Sequence, residues 1–160
     1  MLLGRVFQLV VKAKLRLKAS KCAFGMEQVN FLGHLISKDG LRQDPDKMRA
    51  MLDLSAPADV TGVRRVLGAF SYYRKFIRNF AMVAEPLSRL TRKNTLFKWG
   101  VEEQNASQRL KEALRENTNL YHFNSRDPVM VKCDASYQGV AGILLQQQEG
   151  EWRLICCCSR

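Results

Sequence analysis

The 160-residue sequence predicts an α+β fold, in which a β-hairpin is followed by a helical segment and then by a three-stranded antiparallel meander. Three observations support this prediction. Alternating residues and turn signals before residue 43 indicate strands. Apolar residues spaced three or four positions apart between 44 and 117 indicate helices, and two hairpin patterns after residue 128 indicate strands again.

The first part of the chain is predicted to combine a short helix with paired strands. The predicted elements are a helix at 4–13, an edge strand at 15–18 and two paired strands at 21–24 and 29–37. A turn at 25–27 would join the two paired strands. The dipeptide Asp39-Gly40 predicts a second tight turn, because glycine tolerates the positive φ that hairpin turns require.

Capping signals mark the starts of the predicted helices. Asp44 is a carboxylate N-cap followed by proline at the first helical position, and this helix ends before Pro57. A second helix begins after Asp59 and continues to Phe80, with a break near Asn79. Its apolar stripe is Val60, Val63, Val66, Leu67 and Phe70. The remaining predicted elements are a helix starting near Pro86, an extended piece at 97–99 and a helix at 102–117.

The end of the chain is predicted to form a small sheet. Strands at 129–134, 140–147 and 152–158 are joined by short turns, which gives an antiparallel meander. A meander of three strands exposes an apolar face and a bare edge, and we place that edge at residues 154–156. We therefore expect this sheet to be looser than the rest of the chain and prone to self-association.

The charge of the chain is unevenly distributed. There are 26 Lys+Arg against 15 Asp+Glu, a net charge of +11. Residues 1–100 carry 19 basic and 7 acidic side chains, whereas residues 101–160 carry 7 and 8. A basic segment of this kind favours binding to nucleic acid, because binding releases condensed counterions from the polyanion. A merely solvated basic surface is the alternative.

The remaining composition predicts a soluble intracellular chain, cytoplasmic or nuclear, that is neither secreted nor inserted in a membrane. No run of 18 uncharged apolar residues is present, and the first residues lack the pattern of a signal peptide. The five cysteines are odd in number and lack CxxC spacing, which indicates neither a disulfide framework nor a zinc site. They are typical of small apolar residues in a reducing compartment.

Asp134 is the candidate catalytic and metal-binding residue. It follows Cys133 at the end of a predicted strand, a context in which aspartate is most often a turn or cap residue. The functional interpretation is a metal-binding carboxylate presented from a rigid strand. Two divalent ions about 4 Å apart need several carboxylates, and after Asp134 only Glu149 and Glu151 remain, both in a hairpin turn. One aspartate cannot hold that metal pair.

A second candidate site lies on the basic helix. Arg64, Gly68 and Tyr72 are spaced four residues apart and line one stripe of that helix. A cation, a bare backbone and an aromatic ring in a row suit a duplex groove. The positive charge is extended by Arg74, Lys75 and Arg78. The alternative is a glycine packed in the core with a solvated arginine beside it.

A third candidate is the segment Phe31-Leu32-Gly33-His34, which is predicted to lie on a strand. Glycine inside a strand usually marks a bulge or a close approach of backbone. Taken alone, His34 is more typical of a satisfied surface histidine than of a base or a metal ligand.

These segments, in this order, resemble the reverse transcriptase of gypsy-type LTR retrotransposons. The most specific matches are Phe31-Leu32-Gly33-His34 and Tyr72-Tyr73-Arg74-Lys75-Phe76-Ile77. Further matching segments are 21–24, 40–42, 44–47, 84–87, 97–99, 110–114 and 134–136. The resemblance covers nearly the whole chain.

The resemblance implies a partial reverse transcriptase with four parts. These are the C-terminal end of the palm with its primer-grip hairpin (1–43), a helical thumb (44–96), a connection segment (97–127) and a truncated N-terminal part of an RNase H-like domain (128–160). It also implies that residues 31–34 hold the 3′ end of the growing strand. Arg64, Gly68 and Tyr72 would lie on the helix that tracks the minor groove of the template–primer. Asp134 would be the first metal-binding carboxylate of the ribonuclease H centre, with Mg²⁺ as the cofactor of the full-length family.

The sequence also departs from the family pattern. It contains no Asp-Asp pair, which the polymerase centre of the family requires, and it stops before the further ribonuclease carboxylates. Lys14 stands where the family usually has glycine, Ser107 where it has an aromatic residue, and Cys156-Cys157 where small and aromatic residues are expected. We therefore expect the isolated chain to bind template–primer, an RNA–DNA hybrid or a DNA duplex, without catalysis and without tight metal binding. A host-adopted, non-catalytic nucleic-acid-binding or protein-interaction module is the alternative.

Overall fold

A computed structural model describes residues 2–116, 118–137 and 139–160. Over these residues the chain forms α-helices and two separate three-stranded sheets, which confirms the α+β class. The helices are α1 (Leu2–Lys12), α2 (Pro45–Leu52), α3 (Val60–Tyr72), α4 (Phe80–Val83), α5 (Glu85–Arg89) and α6 (Val101–Arg115). The strands are β1 (Gln28–Phe31), β2 (His34–Ser37), β3 (Gly40–Gln43), β4 (Val129–Ser136), β5 (Gly139–Gln148) and β6 (Glu151–Ser159). Short 3₁₀ turns lie at Ala19–Lys21 and Arg74–Phe76. The predicted end of the last helix, Asn117, lies outside the described residues.

The first sheet has the order β1–β2–β3 with antiparallel pairs. The predicted pairing of strands at 21–24 and 29–37 is wrong, because the hairpin turns inside the second segment. Leu32 (φ 47°) and Gly33 (φ 70°) both adopt the left-handed conformation of a two-residue hairpin turn, which puts Phe31 opposite His34. The second turn is confirmed at residues 38–39, one position before the predicted dipeptide, and it leads into a third strand that was not predicted.

The N-terminal helix ends at Lys14 in a conformation that favours glycine, the residue that the family resemblance leads us to expect at this position. Lys14 has φ 54°, its amide donates to Val11 O (2.9 Å), and the amide of Leu15 donates to Val10 O (3.1 Å). This is the left-handed helix ending at which glycine is usual. The predicted edge strand at 15–18 is wrong, since alternation makes a strand only beside a partner and neither described sheet extends to these residues.

The caps of α2 and α3 are confirmed. The carboxylate of Asp44 accepts from the amide of Asp46 (3.0 Å), and that of Asp59 accepts from the amide of Gly62 (2.6 Å). The second predicted helix is shorter than expected, because α3 ends at Tyr72 and continues as a 3₁₀ turn. The break predicted near Asn79 is confirmed: this residue has φ 53° and precedes α4.

One cluster of buried side chains joins the helices to the second sheet. It includes Val63, Val66 and Phe70 of α3, Leu87 of α5, Leu110 and Leu114 of α6, Leu145 of β5, and Leu154 and Cys157 of β6. The predicted stripe of α3 is thus its buried face. Among the helices that the structure describes, none has the length and apolar composition needed to cross a bilayer.

The C-terminal meander β4–β5–β6 is confirmed, but its predicted bare edge is wrong. Leu154 is buried, and its carbonyl accepts from the amide of Tyr121 (2.8 Å). The 3₁₀ turn Arg74–Phe76 also packs against β6. The exposed edge is instead β4, on the opposite side of the sheet, where seven of eight residues are exposed and only Met130 is partly buried.

Candidate nucleic-acid interface

The turn of the first hairpin is attached to the end of α3 by hydrogen bonds. The hydroxyl of Tyr73 donates to Gly33 O (2.7 Å), which also accepts from the amide of Asp44 (3.1 Å). The adjacent hydroxyl of Tyr72 donates to Leu32 O. Since both carbonyls of the turn accept a tyrosine hydroxyl, the hairpin is held in a fixed position on the helix.

Gly33 is required by this contact. Its φ of 70° lies in the left-handed region, and a Cβ there would be 3.1 Å from the Tyr73 hydroxyl and 3.0 Å from Cδ of Lys47. The predicted close approach of backbone is therefore present, but in a turn and not in a strand. Sequence reasoning missed Lys47, whose ammonium lies beside the turn; its signal was a lysine in the first turn of a capped helix that follows the hairpin directly.

His34 is buried, and its interpretation as a surface histidine is wrong. It is 9% exposed, and its ring packs against Tyr72, Tyr73 and Phe76 at centroid distances of 5.2, 5.6 and 5.8 Å. Nδ1 lies 2.9 Å from Leu32 O, so this nitrogen carries the proton and donates. The imidazole thus packs between the hairpin turn and these aromatic rings.

The protonation states of His34 and Tyr73 follow from their burial. Burial lowers the pKa of His34, the hydrogen bond to Leu32 opposes this shift, and the ammonium groups of Lys75 and Lys47 lower the pKa further. Burial, together with the carboxylate of Asp44, raises the pKa of Tyr73 to about 12. The ring of His34 is therefore favoured in its neutral form, and the hydroxyl of Tyr73 remains a donor at neutral pH.

The predicted stripe on α3 faces outward beside the turn. Arg64 and Gly68 are exposed, and Tyr72 is 48% exposed. A Cβ at Gly68 would meet no heavy atom within 4 Å, so the alternative of a glycine packed in the core is wrong. Phe31 and Leu32 of the turn are also exposed, at 58% and 69%. Tyr72 connects the helix stripe to the turn through its hydrogen bond to Leu32 O. We call Phe31, Leu32, Arg64, Gly68 and Tyr72 together the hairpin–helix face.

The basic residues after α3 have other contacts. The guanidinium of Arg74 donates to Ser159 O and lies over the ring of Phe80, 5.5 Å from its centroid. Lys75 is partly buried, its ammonium is 5.4 Å from the centroid of Phe76, and burial lowers its pKa. Arg74 therefore anchors the second sheet, and Lys75 packs beside the aromatic cluster at the edge of the hairpin–helix face.

Asp134 does not meet other carboxylates. It lies within β4 opposite Ala141, so it is neither a turn nor a cap residue. It lines a shallow cleft together with Arg78 and Lys132, and two cations beside one carboxylate do not suit a divalent ion. Across residues 2–116, 118–137 and 139–160, no group of three or more His, Cys, Asp or Glu is placed to hold a metal. The residues present do not fit a two-metal centre.

Known proteins match the chain along nearly its whole length. Residues 99–160 match the family described as the RNase H-like domain found in reverse transcriptase. The chain is 33% identical over 158 residues to the retrovirus-related Pol polyprotein from transposon 412 of Drosophila melanogaster, covering 99% of this chain and 13% of that protein. It is 32% identical over 154 residues to the Pol polyprotein from transposon gypsy of the same species, covering 89% of this chain and 15% of that protein. The chain belongs to the retrotransposon Pol family. This confirms the resemblance drawn from the sequence motifs.

The fold of this Pol segment matches solved structures of a foamy viral protease-reverse transcriptase. The complex with an RNA/DNA hybrid has a TM-score of 0.79 and 25% identity, over 99% of this chain and 22% of that chain. The complex with double-stranded DNA has a TM-score of 0.78 and 25% identity, over 99% of this chain and 33% of that chain. The Pol segment therefore spans a minor part of each of these relatives.

Proposed function

We propose that this Pol segment binds the template–primer duplex of reverse transcription through the hairpin–helix face. The observation that carries the proposal is the pair of hydrogen bonds from Tyr72 and Tyr73 to the hairpin turn. They place Phe31 and Leu32 directly beside the open stripe of a basic helix. The foamy viral relatives, which share this fold, were solved with double-stranded DNA and with an RNA/DNA hybrid, which supports the same partner here.

Each residue of this face has a distinct role in the proposal. Arg64 contacts phosphate or sugar, where a guanidinium forms strong charge-assisted bonds. Gly68 lets the duplex backbone approach the helix. The ring of Tyr72 packs on sugars, while Phe31 and Leu32 bear on the end of the growing strand. Gly33 and His34 act from below by fixing the turn, and Arg74, Lys75 and Arg78 contribute positive charge to the surroundings.

The whole Pol protein is proposed to perform RNA-directed DNA synthesis and RNA-strand cleavage with Mg²⁺. Within it, residues 1–43, 44–96, 97–127 and 128–160 would be the end of the palm, the thumb, the connection and the first strands of the RNase H-like domain. In this proposal the segment binds the duplex and does not catalyse either reaction, since Asp134 is the one residue that its sequence offers as a candidate metal-binding carboxylate. The family relationship does not favour the alternative of a host-adopted, non-catalytic nucleic-acid-binding or protein-interaction module. We expect the protein in the cytoplasm or nucleus.

The test compares two arginines on the same helix. Arg64 lies on the hairpin–helix face, whereas Arg65 lines a different cleft with Pro57 and Ala69. Arg64→Gln and Arg65→Gln remove the same charge, so their difference reports position alone. Fluorescence anisotropy with a labelled DNA duplex and an RNA–DNA hybrid, over a range of salt, should show that only Arg64→Gln lowers the logarithmic salt slope, by about one. Equal losses for both variants would refute the proposed face.

A second variant separates steric access from charge. Gly68→Gln should fold, because the space above Gly68 is open and glutamine is a better helix former than glycine by about 0.5–1 kcal/mol. It should nevertheless weaken duplex binding, because the side chain stands where the nucleic-acid backbone approaches. Unchanged affinity in a variant that is at least as stable as the original would contradict the role given to Gly68.

A further inference from the structure

Two polar side chains of the first sheet are buried without a complete set of hydrogen bonds. Gln43 is 1% exposed, and neither Nε2 nor Oε1 of its side chain has a hydrogen-bond partner among the described residues. The Nε2 atom of His34 is likewise buried and has no partner there. Buried polar groups in native proteins are normally bonded to the protein or to ordered water, so these atoms mark a site that binds a polar group.

The two side chains are neighbours in the sheet. His34 of β2 and Gln43 of β3 are directly opposite each other. The backbone amide and carbonyl of Leu41 bond to Leu120, away from β2, and the alternation along a strand turns those of Gln43 the same way. His34 and Gln43 therefore form a non-hydrogen-bonded pair, in which the Cα atoms are about 4.5 Å apart and the side chains lie close together on one face.

The unpartnered atoms are chemically complementary. Nδ1 of His34 donates its proton to Leu32 O, so Nε2 of the neutral ring is an acceptor. The side-chain nitrogen of Gln43 is a donor. No direct hydrogen bond joins the two side chains. A water molecule both accepts and donates, so one bound water connects this donor to this acceptor.

We propose that Gln43 is a positioning residue for the hairpin turn, acting through one bound water on Nε2 of His34. The water accepts from the amide of Gln43 and donates to the imidazole, which keeps the ring proton on Nδ1, where it bonds Leu32 O. The same carbonyl accepts from the hydroxyl of Tyr72. The buried amide is thereby linked to two residues of the hairpin–helix face, and its effect on duplex binding rests on the proposed function.

The link can be tested by ¹⁵N NMR of the histidine rings in the free protein, with the exposed His122 as internal reference. The original chain should show His34 as the Nδ1–H tautomer with a hydrogen-bonded Nε2, and an Nε2–H tautomer would overturn the proposal.

Gln43→Met removes the amide but keeps nearly the same side-chain length, and the water loses the partner that holds it. The Nε2 resonance of His34 should then move toward that of an unbonded imidazole nitrogen. The pKa of His34 should rise by about one, because the bond to Nε2 favours the neutral ring. The facing charges of Lys47 and Lys75 are unchanged by this substitution. A resonance and a pKa equal to those of the original chain would refute the link.

Gln146→Met is the matched control. Gln146 is also buried, at 0% exposed, but its side chain accepts from the amide of Asn124 and donates to the carbonyl of the same residue. The control should lose stability in urea denaturation and leave the His34 resonance where it was. A His34 resonance that moves equally in Gln43→Met and Gln146→Met would refute a specific link.

Duplex affinity shows whether the link extends to the hairpin–helix face. Gln43→Met should weaken binding about two- to fivefold, at most the equivalent of one hydrogen bond. It should leave the salt slope unchanged, because no charge is removed, whereas Arg64→Gln lowers that slope. Unchanged affinity in Gln43→Met beside weakened binding in Arg64→Gln would overturn the positioning role. An Arg64→Gln variant without effect would refute the proposed function instead, and the spectra of the free protein would be independent of that result.

Discussion

Replacing Tyr73 by phenylalanine removes one hydroxyl from the contact between the hairpin turn and α3. The aromatic ring remains, and so do its contacts with His34 and Phe76, whose ring centroids lie 5.6 and 6.1 Å from that of Tyr73. No cavity is formed. The change therefore isolates the bond to Gly33 O, which measures 2.7 Å and lies in a buried environment.

The expected loss of stability in Tyr73→Phe depends on the hydrogen bonds that Gly33 O retains. Gly33 O still accepts from the amide of Asp44 at 3.1 Å, so it is not left unsatisfied. The expected loss is the net contribution of one buried hydrogen bond, about 1 kcal/mol of the free energy of unfolding. For a chain of this size that corresponds to a fall in Tm of about 2–4 °C. Tyr72→Phe should cost less, about 0.5 kcal/mol or below, because that side chain is half exposed and water competes for its carbonyl partner.

Urea denaturation of the two phenylalanine variants checks this order. The duplex affinity of Tyr73→Phe should also fall under conditions in which the protein is fully folded, since the turn loses its fixed position relative to Arg64. Tyr73→Ala is the reference for a real cavity and should cost about 3–5 kcal/mol. The reasoning fails if Tyr73→Phe is as stable as the original chain, or if Tyr72→Phe costs more than Tyr73→Phe.

Three further predictions concern His34, Lys14 and the cysteines. Because burial lowers the pKa of His34, the unfolded state binds more protons below about pH 6.5, so the free energy of unfolding should fall as pH drops below that value. His34→Gln should reduce this slope in urea titrations between pH 5 and 7, and an unchanged slope would exclude His34 as its source. Lys14→Gly should stabilise the end of α1 by about 1 kcal/mol, seen as slower amide exchange, whereas Lys12→Gly inside the helix should do the reverse. Burial raises the pKa of Cys157 to about 11, so iodoacetamide at pH 8 should alkylate the exposed Cys133 before Cys157. Mass spectrometry follows the two reactions, and equal rates at these two cysteines would contradict the prediction.

The features that could be predicted from the sequence are those set by neighbouring residues. The N-caps at Asp44 and Asp59 depend on bonds to amides two or three positions away. The C-terminal meander depends on alternation and short turns, which are also local. The stripe of Arg64, Gly68 and Tyr72 follows from helical spacing alone.

The features that were missed depend on contacts distant in sequence. Leu32 adopts a positive φ that a leucine rarely takes, and the turn it forms is held by tyrosines forty residues away. The burial of His34 depends on the same packing. The edge of β6 is covered because Tyr121, from the segment before β4, donates to it. None of these contacts leaves a signal within the local pattern of residues.

The core shared by α3 and the second sheet constrains which parts of this protein can move independently. Phe70 of α3 packs in the same buried cluster as Leu145 and Leu154, so α3 and the C-terminal strands move together as one rigid unit. The connection from α1 to the first hairpin is different, because residues 13–27 contain no buried side chain. Residues 13–27 therefore allow α1 to change its orientation relative to the hairpin–helix face, while the hairpin itself stays attached to the end of α3.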